Sequence, residues 1–227
     1  MLSDEVNRAI AAMGFVRPTE IQSRVIPLLL DGRDVIGQAQ TGTGKTAAFG
    51  IPLIEGIDES QPHTQALVLA PTRELAIQIG EELRKIGKDI EGLTIATIYG
   101  GAGYARQFED LKQGAHVVVG TPGRVLDHIG RGTLKLAKVD YLILDEADRM
   151  LDMGFLPDVE RILRRTPRER QTALFQPRCR PSFVSSRGAT CTIPPRCTSS
   201  PSRSPSRRSS RSITKSPIAT RSTDCCR

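Results

Sequence analysis

Two short stretches carry the residue types that phosphate chemistry requires. The first is AQTGTGKT, residues 39–46, which follows the strand-like DVIGQ and precedes the helix-like TAAFGIPLIEGI. Glycines at 42 and 44 free the backbone to turn its N–H groups around phosphate oxygens. Lys45 would reach the β- and γ-phosphates, Thr46 would place its hydroxyl on Mg²⁺, and the following helix N-terminus would add positive potential. Ala39, Gln40, Thr41, Gly42, Thr43, Gly44, Lys45 and Thr46 are the candidate lining of a phosphate-binding loop. The strict pattern opens on Gly, and Ala39 stands at that position. The bland alternative is a glycine-rich turn with a chance Lys.

The second stretch is YLILDEAD, residues 141–148. Four apolar residues make a buried strand that ends in carboxylates. Asp145 would hold the Mg²⁺, through water, and Glu146 would orient or deprotonate an attacking water. The alternative is an acidic helix cap, with Asp148 capping RMLDMGF. The two stretches make one site if the fold brings them together: Lys45, Asp145 and Glu146 are the candidate catalytic residues, and Thr46 and Asp145 the candidate Mg²⁺ ligands.

That condition depends on the elements around them. Strand-like runs lie at 34–39, 65–71, 93–100, 115–120, 141–146 and 171–175, separated by helix-period stretches. The clearest helix is RELAIQIGEELRKIGK, in which Leu75, Ile79, Leu83 and Ile86 share one face. Strands apolar on both faces and alternating with helices predict an α/β fold, a parallel sheet with helices on both faces. Ligands of such sheets sit beyond the carboxyl ends of the strands.

The totals conceal a division. Of the formal +7, residues 176–227 contribute eleven Lys/Arg against the single Asp224, a net +10 that leaves −3 on residues 1–175. All five cysteines lie after Phe175, at spacings that fit no zinc pattern, and an odd number argues against a disulfide framework. The start, MLSDEVNRAI, is polar and not a signal peptide, and no apolar run approaches a membrane span. A cytoplasmic protein with no membrane partner is the expectation. His63, His116 and His128 are isolated and read as surface residues rather than ligands.

The motifs resemble those of a known family. DEAD is spelled out at 145–148 and continues as RMLDMGF. With AQTGTGKT, PTRELA (71–76), GG (100–101) and TPGR (121–124) in that order, residues 1–175 are similar to the first RecA-like domain of DEAD-box ATP-dependent RNA helicases. The resemblance implies a P-loop NTPase domain that uses ATP and Mg²⁺. It implies that Gln22, in GFVRPTEIQ, bonds the adenine base through its amide. A capping box, Thr19-x-x-Gln22, is the alternative; both roles are compatible, and the resemblance favours the adenine role. Phe15 reads as core packing. The family's adenine-stacking aromatic would fall before Met1, so an incomplete start and weakened affinity are expected.

The resemblance further implies that PTRELA, the glycine pair and TPGR grip an RNA backbone. Thr72, Arg73, Gly101, Thr121, Gly123 and Arg124 are the candidates, at strand-to-helix junctions that present free N–H groups. Ordinary turn chemistry is the alternative for each motif singly. Backbone contacts read no bases, so sequence-independent RNA binding is expected.

In this family QTALF is followed by Ser-Ala-Thr; here Gln176-Pro177-Arg178 follow. Residues 176–227 are low-complexity Arg/Ser/Pro sequence with few large apolar groups, and read as disordered. Three origins compete: an out-of-frame translation, a genuine RNA-binding Arg/Ser segment, or a natural truncation with a neutral tail. The break falls inside a motif, which favours the frameshift. Without a second domain's arginine finger, weak ATP·Mg²⁺ binding, weak RNA contact and little hydrolysis are expected. A P-loop ATPase that is not a helicase, and an RNA-binding module acting through the basic tail, are the alternatives.

Overall fold

The computed structural model describes residues 2–40 and 42–176. The expectations for the tail, including its disorder and its frameshift origin, lie outside the described residues from 177 onward, as does Thr41.

All six expected strands form. They are β1 (Val35–Gln38), β2 (Ala66–Leu69), β3 (Ile95–Ile98), β4 (Val117–Gly120), β5 (Tyr141–Leu144) and β6 (Gln171–Gln176). They pair in the order β1-β6-β5-β2-β4-β3, and every neighbouring pair is parallel. β6 runs one residue past Phe175, because Gln176 still pairs in register with Gln38. The helices are α1 (Asp4–Ala12), α2 (Glu20–Leu30), α3 (Lys45–Glu55), α4 (Arg73–Ile86), α5 (Tyr104–Lys112), α6 (Pro122–Gly130), α7 (Ala147–Asp152) and α8 (Leu156–Leu163).

Side chains alternate across a strand, so a sheet buried on both faces needs two apolar sets. Ala66, Val68 and Ala70 share one core with Val117, Val119, Ile143, Ala173 and Phe175, beneath α1 to α4. Leu67, Leu69, Val118, Leu142, Leu144 and Leu174 enter the other core, which holds Val125 of α6, Met150 of α7 and Val159 of α8. The expected face of α4 is the buried one: Ile79, Leu83 and Ile86 are fully covered and Leu75 packs against the same core, as does Phe15.

Two of the three histidines depart from expectation, His116 and His128, whereas His63 is half-buried. His128 is 0 % exposed and His116 4 %. His116 is held by Thr94, whose backbone N–H donates to Nδ1 at 3.0 Å. His128 lies between Gln107 and Thr133. Each neutral ring finds the donor and acceptor that burial demands, and spacing in sequence carries no sign of such distant partners.

Because every strand runs the same way, all six carboxyl ends meet at one edge of the sheet. β1, β6 and β5 bring the loop at 39–44 and the acidic residues 145–146 to one half of that edge. β2, β4 and β3 bring residues 70–73, 120–124 and 99–103 to the other.

Candidate functional site

The first half is wired through a loop and a helix start. Gly42 and Gly44 have φ of 81° and 80°, the left-handed region that glycine enters without penalty. Gly44 is the N-cap of α3 and offers no side-chain cap. A second element stands against it. Thr19 caps α2 and forms a full capping box with Gln22. The Gln22 amide also donates to Gly44 O at 3.1 Å, and the Thr19 hydroxyl donates to Thr43 O at 3.0 Å. A Cβ at Gly44 would stand 2.5 Å from Gln22 Nε2. The capping box is therefore present, and the same two residues brace the glycine loop. Thr43 closes the loop from within by donating to Gln40 O at 2.8 Å. Ala39 is 7 % exposed, and its N–H extends the β1–β6 ladder to Gln176 O.

Lys45, the first residue of α3, meets Asp145 at the end of β5: Nζ stands 3.4 Å from Oδ1, with the two side chains 6 % and 3 % exposed. The two stretches separated by a hundred residues thus converge. Burial pushes the Asp145 carboxyl up, and Lys45 beside it pulls the other way. Its Oδ1 also accepts the Glu146 N–H at 2.9 Å. Glu146 is the one non-glycine residue with positive φ among the described residues, at φ 49°, ψ 47°. Such strain is retained where surrounding contacts enforce it. It acts as the N-cap of α7 without a side-chain cap bond, so the helix starts at Ala147 and Asp148 lies in its first turn rather than capping it. Arg149 reaches back to Glu146 Oε2 at 3.1 Å.

Two partners of this half escaped the sequence reading. Glu82 of α4 hydrogen-bonds the Thr46 hydroxyl; burial raises its carboxyl, and the Thr46 bond opposes that. Arg149 takes up one oxygen of Glu146. Glu82 becomes visible only once α4 packs on α3, whereas Arg149 stands at the i,i+3 spacing from Glu146, a signal that could have found it. Among the described residues no cluster of three or more His, Cys, Asp or Glu forms a ready-made metal cage. The Thr46 hydroxyl and Asp145 carboxylate are hard oxygen donors, few in number, which suits a small cation shared with a ligand's own oxygens.

The second half is open. Thr72 caps α4, its hydroxyl accepting Leu75 N–H at 3.3 Å, and the Arg73 guanidinium lies 5.0 Å from the Tyr99 ring centre. Gly101 has φ 84°, and a Cβ there would approach Arg73 Nη1 at 3.5 Å. Thr121 is the N-cap of α6 without a side-chain cap bond, and Pro122 follows at its first position. A Cβ at Gly123 would meet nothing within 4 Å. Arg124 donates to Ala102 O at 3.2 Å, tying the loop of β3 to the start of α6. The six residues singled out here, Thr72, Arg73, Gly101, Thr121, Gly123 and Arg124, therefore come from three separate junctions onto one half of the edge. No described helix is long and apolar enough to cross a membrane.

Known proteins share this arrangement. The chain is 58 % identical over 174 residues to the DEAD-box ATP-dependent RNA helicase CshA of Geobacillus kaustophilus, a match covering 77 % of this chain and 37 % of that protein. It is 56 % identical to CshA of Bacillus subtilis, over 77 % of this chain and 35 % of the relative. It thus spans about a third of the length of the curated relatives it matches. The crystal structure of a DEAD box protein from the hyperthermophile Methanococcus jannaschii superposes with a TM-score of 0.76 at 48 % identity, covering 81 % of this chain and 50 % of that one. A structure of a hypothetical ATP-dependent RNA helicase from Sulfolobus tokodaii gives 0.72 at 40 % identity, over 78 % and 51 %. The fold is that of a RecA-like domain, and residues 19–176 match the DEAD/DEAH box helicase model. The chain belongs to that family.

Proposed function

We propose that this domain is the ATP-binding, RNA-gripping N-terminal half of a DEAD-box RNA helicase acting in the cytoplasm. The observation that carries the reading is the buried contact between Lys45 and Asp145, because it joins the glycine loop to the acidic strand end. In this reading the 39–46 loop is a P-loop: residues 39–44 wrap the phosphates and Lys45 swings from Asp145 toward them. Thr46 and Asp145 would hold Mg²⁺, which would neutralise charge on the phosphate oxygens. Glu146, held in its left-handed conformation, aims the attacking water. Gln22 has one amide N–H and one oxygen lone pair left after its bonds to Gly44 and Thr19, which is what an adenine edge offering one acceptor and one donor needs.

The other half of the edge binds phosphodiester oxygens of RNA through Thr72, Arg73, Gly101, Thr121, Gly123 and Arg124, without reading bases. The cations paired with the catalytic carboxylates are Lys45 and Arg149. In this family a second domain supplies an arginine finger to hydrolysis, a contribution of about 10³–10⁵ in rate.

Titration of the 227-residue protein with a fluorescent ATP analogue, with and without Mg²⁺, tests the nucleotide reading. The expected result is Mg²⁺-dependent binding abolished by Lys45→Ala, with slow turnover. Binding indifferent to both Mg²⁺ and Lys45 would overturn it.

A further inference from the structure

The open half of the edge continues past TPGR. The Tyr104 ring, at the first position of α5, carries two guanidinium groups: Arg124 at 4.0 Å and Arg131 at 4.4 Å from its centre. Arg131 is the exposed C-cap of α6. Its guanidinium carbon therefore lies within about 8.4 Å of that of Arg124. Like charges this close repel, and neither arginine forms an ion pair within the described residues.

The Tyr104 side chain is held from its hydroxyl and its ring. The Tyr104 hydroxyl donates to Asp127 Oδ2 at 2.9 Å. Its ring lies 5.6 Å from that of His128, which bonds Thr133 at 2.8 Å and approaches Gln107 Oε1 at 3.4 Å. Arg124 is tied to Ala102 O at 3.2 Å. The N-termini of α5 and α6 both lack a side-chain cap, and their glycines 103 and 123 leave the backbone uncovered. Two arginines without carboxylate partners therefore converge on one aromatic ring at the uncapped start of α5. A guanidinium held flat on a ring keeps its N–H fork pointing outward, toward the geometry of a phosphate.

We propose that Arg131, positioned by Tyr104, is a further phosphate contact that lengthens the RNA-backbone track beyond Arg124. This rests on the RNA reading of the TPGR junction. The track takes the phosphodiester chain of single-stranded RNA without regard to sequence. Asp127 accepts the Tyr104 hydroxyl, and no ion pair joins it to Arg131.

The test is the salt dependence of binding of an oligouridylate to the full 227-residue protein, measured by fluorescence anisotropy. Loss of one phosphate contact on a single strand lowers the slope of log K against log salt by about 0.7, which amounts to about fivefold in affinity near 0.1 M salt. Arg131→Gln is expected to show that change, and Arg124→Gln a comparable one. Tyr104→Leu is expected to weaken binding although it removes no charge, whereas Tyr104→Phe, which keeps the ring, is expected to retain most of the affinity. The basic residues after 176 contribute equally to all variants, so the difference isolates the ring and its arginines. If Arg124→Gln changes the slope and Arg131→Gln does not, the extension is wrong and the RNA reading survives. If neither changes it, both fail.

Discussion

One sheet edge carries two halves built from the same device, a parallel strand handing over to a helix N-terminus, and they differ in almost everything else. At β1, β6 and β5 the charged pair and Gln22 are buried: Lys45 and Asp145 are 6 % and 2 % exposed, and Gln22 and Thr19 bond the loop carbonyls. At β2, β4 and β3, Gly100, Gly103 and Gly123 face open space, and Arg73 and Arg124 lie on tyrosine rings. Burial makes the first half a place where charges interact strongly and any change is felt by the fold. Exposure makes the second half tolerant, adding affinity through many weak, salt-screened contacts. A small ligand that must be held in one geometry fits the first; a long polyanion read without sequence fits the second.

The largest expected break in this contrast is at Lys45. Lys45→Met leaves Asp145 buried without its cation, and breaking a buried pair in this way costs about 3 kcal/mol. Asp145→Leu added to Lys45→Met removes the orphaned charge and is expected to recover most of that loss. Chemical denaturation of the single and double variants checks it. Equal destabilisation in the double variant would mean that packing, not charge, sets the cost. Arg131→Gln, at an exposed position without a carboxylate partner, is expected to cost far less, at most about 1 kcal/mol from its contact with Tyr104.

Next in size is a pair of identical changes in the two halves. Gly44→Ala must hold a Cβ at φ +80° and push it against Gln22 Nε2, at 2.5 Å. The left-handed conformation alone costs roughly 1–2 kcal/mol, and displacing the Gln22 brace adds to it. Gly123→Ala meets nothing within 4 Å and is expected to leave stability within about 0.5 kcal/mol. Its effect should appear instead as weaker RNA binding, since the new methyl covers the start of α6. Thermal melts beside RNA titrations separate the outcomes. A Gly123→Ala protein that melts early, or a Gly44→Ala protein that does not, would erase the distinction.

How much of this was legible in the sequence follows the same division. The six strands were readable because continuous apolar runs such as ALVL and VVVG have one physical solution, a strand covered on both faces. The glycine loop and the acidic strand end were readable because their chemistry is contiguous, residues 39–46 and 145–146. The strand order was not readable, since local pattern does not record which strand lies beside which. Glu82 against Thr46 is likewise a product of α4 packing on α3 and has no local signature. Gln22 was readable in two ways, as a cap and as a ligand group; the cap forms, and the brace on Gly44 is a third contact that local spacing did not record. Arg131 on Tyr104 joins residues from two helices, and the isolated-looking histidines are buried for the same reason: their partners come from elsewhere in the chain.

The smallest expected effect lies under the open half and concerns His128. Burial holds its imidazole below the usual value of about 6.5, and Arg124 and Arg131 push in the same direction, with Asp127 alone opposing them. His116 is also lowered, by burial first. In the unfolded chain both rings take up protons near pH 6.5, while in the folded protein they resist. Folding stability is therefore fully present above about 6.5 and falls as the pH drops from there toward the lowered folded values. His128→Gln retains a donor and an acceptor for Gln107 and Thr133 but cannot titrate, so its stability should decline less between pH 7 and 5 than that of the parent protein. Adding Arg131→Gln to the parent removes one of the two cations facing the ring, which should raise the folded value and flatten the same decline by a smaller amount. Melting curves across that range decide the matter: an unchanged slope in both variants would mean that the acid sensitivity of the domain arises elsewhere, and that the arginines on Tyr104 do not act on the ring beneath them.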